Sequence, residues 1–151
     1  MINQSDFIEQ LNNYYEVWQE YNNIYELWAK AHGLSKNGLL VLYAINEGEN
    51  NCTQKKISER WLIPKQTVNM ILRDFEARGF VKLSPMSKDK RNKIIKLTVA
   101  GKKYADTIVS ELHKAELFAI EEMGIERMRR FNNDMTMFVD LFKKASGGRD
   151  E

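Results

Sequence analysis

Between Thr53 and Lys103 the chain carries 14 lysines and arginines against four aspartates and glutamates, a net charge of +10. The rest of the 151 residues holds nine basic and seventeen acidic groups, so the overall +2 conceals two opposite regions. A cationic segment in an acidic frame suits an anionic partner, with nucleic acid the first candidate and a merely solvated basic face the alternative. Within the segment, Lys65, Gln66, Thr67, Asn69 and Arg73 are rich in donors, with no acid until Asp74 and Glu76. On one helix, Gln66 and Asn69 can read adenine edges while Lys65 and Arg73 hold phosphate. A second cluster, Lys88, Asp89, Lys90 and Arg91, sits in a polar stretch that can form the tip of a hairpin and reach a minor groove. Thr53, Gln54 and Lys55 open another helix, where backbone N–H groups can bind phosphate, or where Thr53 simply caps.

Other chemistry finds little footing. There is no Gly-rich phosphate loop, no Gly-x-Ser-x-Gly, no His-Glu-x-x-His and no cysteine–histidine pair, so an enzyme is not expected. One cysteine, Cys52, excludes an internal disulfide and any multi-thiolate metal site. His32 and His113 lie far apart in sequence and have no ligand spacing, so neither a metal nor another cofactor is expected.

The elements that must position these groups follow from periodicity and punctuation. Phe7, Leu11, Tyr14, Trp18, Tyr21, Tyr25 and Trp28 recur every three or four residues, a seam too long for one helix to bury alone. Its flat aromatics suit packing against a second chain as well as against its own domain. Gly33 stops this helix, and Ser35 caps a second carrying Leu39, Leu42, Tyr43 and Ile45. Thr53 caps a third, Gln54 to about Leu62. Pro64, in the first turn, opens a fourth that turns Val68, Ile71, Leu72 and Phe75 inward and ends at Gly79.

A hairpin follows, Phe80–Ser84 with Lys93–Leu97, around a basic tip. Thr98 caps a fifth helix with Tyr104, Ile108, Leu112, Ala115 and Ala119 along one side. Beyond Gly124 a sixth carries Met128, Phe131, Met135, Phe138 and Phe142. The longest apolar run, Leu39–Ile45, is far short of the ~20 residues of a membrane span. No basic-then-apolar leader opens the sequence, so a soluble, cytoplasmic, single-domain protein is expected.

Two short helices, a tight turn and a basic-tipped hairpin make a winged helix-turn-helix. In that order the chain resembles the MarR family of bacterial transcription regulators over nearly its whole length. The residues that carry the likeness are Gly33-Leu34-Ser35, Pro64-Lys65-Gln66-Thr67-Val68 and Leu72-x-x-Phe75-Glu76-x-x-Gly79-Phe80-Val81. The most telling are Asp89-Lys90-Arg91 followed by Leu97-Thr98-x-x-Gly101.

The resemblance implies a mainly α fold with a small β-hairpin wing, one domain over 1–151. Residues 7–32 and 99–145 would form a helical dimerisation layer, 35–98 the DNA-binding lobe and 146–151 a frayed tail. It implies a homodimer on double-stranded, palindromic operator DNA, with half-sites about 10 bp apart or a small multiple. Arg91 would enter the minor groove and Asp89 would order the wing by pairing with a basic neighbour. Members typically repress genes for efflux, detoxification or stress, and release DNA on meeting a small aromatic or phenolic effector or an oxidant. Trp18, Tyr25, Trp28, Tyr43 and Tyr104 would line the effector cavity, although core packing accounts for the same residues. Relatives that sense oxidants carry their cysteine in the first helix, where this chain has none. Cys52 as a redox switch and a winged module for protein contacts therefore stand as alternatives.

Overall fold

The computed structural model describes residues 3–48, 51–86 and 93–147. The chain divides into two compact units, Met1–Ile108 and Val109–Glu151. The first opens with α1 (Gln4–Ala31), α2 (Lys36–Glu47), β1 (Cys52–Thr53), α3 (Gln54–Trp61) and α4 (Lys65–Ala77). After β2 (Val81–Pro85) and β3 (Lys93–Leu97) comes α5 (Val99–Met123), within which the division falls; the second unit also contains α6 (Ile125–Ala145). No described helix is long and apolar enough to cross a membrane.

Helix boundaries follow local chemistry. The α1 helix starts before the aromatic seam does, because Asn3 caps it in a box with Asp6. It ends at His32 with Gly33 at φ +72°. There the Leu34 N–H donates to the Ala29 carbonyl and the Gly33 N–H to that of Lys30, a Schellman closure. Gly79 (φ +74°) repeats this after α4, with Phe80 N–H donating to the Phe75 carbonyl at 2.8 Å. Ser35 caps α2, its hydroxyl accepting from the Gly38 N–H at 2.9 Å. Pro64 occupies the N-cap of α4 rather than its first turn; its ψ of 138° is extended, so helical geometry begins at Lys65.

The sheet departs from the simple hairpin expected. It has three antiparallel strands in the order β1-β3-β2, with Cys52 opposite Ile95 and Thr53 opposite Ile94. Two residues are too few to show strand alternation, so β1 leaves no trace in the sequence. Phe80 lies outside β2 because its N–H closes α4 and its carbonyl accepts from Thr98 at 2.9 Å. Thr98 fastens the start of α5, accepting from the Gly101 N–H at 3.0 Å and donating to the Gly79 carbonyl at 2.6 Å. Gly101 is required there, since a Cβ on it would fall 1.9 Å from the Phe80 carbonyl oxygen.

The core of the first unit joins α2, α3, α4 and the sheet through Leu39, Leu42, Ile57, Val68, Phe75 and Ile95, all essentially buried. By contrast, α1 buries only Ala29. In α5 the expected stripe is half covered, with Ile108 and Leu112 buried and Ala115 and Ala119 exposed. In the second unit α6 buries none of its residues, and Phe131, Phe138 and Phe142 are exposed.

Candidate nucleic-acid interface

The geometry of the basic segment is set by the α3–α4 turn. Thr53 is buried and its hydroxyl accepts from the Lys56 N–H at 3.3 Å, which makes it a cap. The Gln54 amide donates to the Lys65 carbonyl at 2.8 Å, tying the starts of the two helices, while Lys55 is exposed and 3.8 Å from Glu59. Ser58 donates to the Ile63 carbonyl at 2.7 Å and closes the turn. Leu62 takes the left-handed conformation (φ 52°) with its side chain 88% exposed.

On α4 the buried Val68, Leu72 and Phe75 lie on one side. Lys65, Gln66 and Arg73 are exposed, and Thr67 and Asn69 are half-buried at the margins. The face is free of acids from Arg60 to Arg73. The first acid beyond it, Asp74, is offset by Arg78 at 3.5 Å.

The hairpin holds its register from Val81↔Leu97 to Pro85↔Lys93. The tip residues Lys88, Asp89, Lys90 and Arg91 lie outside the described residues. Sequence reasoning passed over two lysines of the stem. Lys82 and Lys96 are exposed and directly opposite across β2 and β3. Like charges so placed repel and favour a shared anion. Period-two alternation was the signal that could have found them.

A second arrangement lies where α4 ends. The Phe80 and Tyr104 rings stack at 4.4 Å and 17°, and the Arg78 guanidinium lies 4.8 Å from one ring centroid and 5.4 Å from the other. The Tyr104 hydroxyl donates to the His32 carbonyl at 3.0 Å. The His32 ring stacks on Trp28 at 3.8 Å. Tyr104 and His32 border an open cavity of about 440 Å³, completed by Ala100, Lys103, Thr107 and Ile108.

Of the five aromatics expected around a ligand, Trp28 and Tyr104 are thus drawn together through His32. Tyr43 instead meets Trp61 edge-on at 5.7 Å, Tyr25 neighbours Tyr21 on α1, and Trp18 is half-exposed on the same helix.

Cys52 is buried on β1, and burial pushes its thiol above the ordinary value against the pull of Lys56 and Arg60. The neutral form that results is a poor nucleophile. Among the described residues no three of histidine, cysteine, aspartate and glutamate cluster as metal ligands would.

Residues 32–92 match the family model of the MarR family. No curated protein matches the chain. Solved structures do. A MarR family regulator from Neisseria meningitidis is 25% identical, with 97% of this chain and 98% of that one covered at a TM-score of 0.76. Reduced AbfR bound to DNA is 26% identical, covering 92% and 96% at a TM-score of 0.65. Staphylococcus aureus MarR in complex with salicylate and kanamycin is 20% identical, covering 93% and 95% at a TM-score of 0.70; at that identity it speaks for the fold.

Proposed function

We propose, from the match of residues 32–92 to the MarR family model and the likeness to a solved MarR family regulator, that the chain is a MarR-type protein: a dimeric, sequence-specific DNA-binding transcription regulator of the cytoplasm, a repressor released by a small effector. The observation that carries this reading is the outer face of α4 over Lys65 to Arg73, a stretch free of acids, with Gln66 and Arg73 exposed opposite a sealed core. Such a helix enters a major groove with donors toward base edges and phosphates. In the same reading residues 35–98 are the DNA-binding lobe and 88–91 its minor-groove tip. Residues 7–32 and 99–145 carry the exposed apolar stripes that a second copy covers, and 146–151 form a tail. Lys82 and Lys96 add a phosphate contact beside the tip. An aromatic or phenolic effector suits the cavity beside Tyr104, which has the volume of a small-ligand site. Family members are transcription regulators, and no catalytic role is proposed.

Duplexes enriched by the chain from a random 30-base-pair pool, followed by fluorescence anisotropy over a salt series, test the reading. Six phosphate contacts would give a slope of log K against log salt of roughly −5. Arg91→Ala should weaken binding about ten-fold without changing the melting point. Binding that ignores salt would instead support a winged module used for protein contacts.

A further inference from the structure

The outer face of α4 is not uniformly polar. At about 100° per residue, the positions most nearly opposite Val68, Leu72 and Phe75 are Ala77, Met70, Gln66 and Arg73, with Asp74 at the margin. Met70 therefore sits one turn from each of two long donors, in the middle of the face that would meet a groove. It borders a shallow recess with Leu34, Asp74 and Arg78, yet its side chain is 66% exposed. Helix propensity does not explain it, because Lys, Gln or Glu would serve α4 equally well there and would be better hydrated. A large apolar group in the middle of a donor-rich face offers an apolar surface to whatever the face meets.

The major groove supplies only one apolar group. Base edges there present N7, O6 and O4 acceptors and N4 and N6 donors, and the C5-methyl of thymine is the sole apolar feature. We propose that Met70 is a specificity-determining residue that packs on a thymine methyl group in each operator half-site. The unbranched thioether chain can adjust to the height of the methyl. Gln66 and Arg73 on either side hold neighbouring polar groups and exclude water around the contact. The inference rests on α4 being the recognition helix.

Its test replaces single thymidines by deoxyuridine (dU), which deletes the methyl and keeps the base-pairing edge. Duplexes enriched by the wild-type chain are made with dT or dU at each position, in one or both half-sites. Their affinities are read by anisotropy for the wild type, Met70→Ala and Met70→Leu. Burying one methyl is worth about four-fold in affinity, hence roughly fifteen-fold over two half-sites. Wild-type protein should lose that much at one dT position per half-site.

Met70→Ala should bring the dT and dU affinities within about two-fold of each other, and Met70→Leu should restore the preference. Equal wild-type affinity for dT and dU at every position would overturn the inference. So would a Met70→Ala chain that keeps the full dT preference. Failure to enrich any sequence would overturn the reading of α4 itself, and the methyl contact with it.

Discussion

Helices α4 and α6 are both amphipathic, and their apolar faces meet opposite fates. Over 13 residues α4 buries Val68, Leu72 and Phe75, whereas 21-residue α6 buries nothing and leaves Phe131, Phe138 and Phe142 exposed. The apolar spacing is as regular in one as in the other. What differs is the neighbourhood. Around α4 the chain supplies α2, α3 and β2 within 45 residues on either side. The stripe of α6, like the seam of α1, is left as surface, in amounts a monomer seldom tolerates. Periodicity reveals that a face must be covered, and only the rest of the structure reveals by what. In the proposed reading the lobe that would read DNA is complete in itself, and the long helices are covered by another copy.

The comparison breaks most readily at its two phenylalanine sets. Phe75→Ala, at a site only 1% exposed, should cost about 3–5 kcal/mol in urea unfolding. Phe138→Ser with Phe142→Ser should instead raise the dimer dissociation constant at least ~100-fold while the α4 lobe keeps its hydrogen-exchange protection. If both changes acted on folding alone, the division of roles between the helices would fail.

Arg78→Ala comes next in size. It removes the guanidinium over Phe80 and Tyr104 and the partner of Asp74, for about 1–2 kcal/mol. Arg78→Lys should recover little, because an ammonium does not lie flat on a ring. Full recovery would mean that charge, and not the stack, fastens the end of α4.

Much of this lobe was legible beforehand, because caps and glycines are local signals. Ser35, Thr53 and Thr98 begin helices through their own side chains, and Gly33 and Gly79 end them in left-handed turns. The Arg78–Phe80–Tyr104 stack was not legible, since Arg78 and Tyr104 stand 26 residues apart and no pattern links them. Nor was β1, too short to alternate, nor the edge-on pairing of Tyr43 with Trp61.

Smaller effects sharpen the picture inside the lobe. Leu62→Gly at φ 52° relieves an unfavourable left-handed residue and forfeits almost no burial, so stability should rise by about 0.5–1 kcal/mol. A loss would show that the exposed leucine packs in a way the fold does not display. Cys52 gives a pH-dependent effect. Its thiol is raised in the folded chain, so the folded state holds its proton more tightly than the unfolded state. Its contribution is full below the ordinary value of 9.0 and fades as pH rises through the folded value. Cys52→Ala should flatten the fall in stability above about pH 9. The thiol should also react slowly with alkylating reagents at neutral pH, and rapid modification would revive the redox-switch alternative.

The most direct measurement is sedimentation velocity of the full chain, alone at micromolar concentration and then titrated into an enriched duplex at near-physiological salt. The account predicts a folded dimer that joins the duplex as two chains per site, with Arg73→Ala reducing the bound fraction and leaving the dimer intact. A well-folded monomer, or a dimer that never sediments with DNA even at low salt, would contradict it.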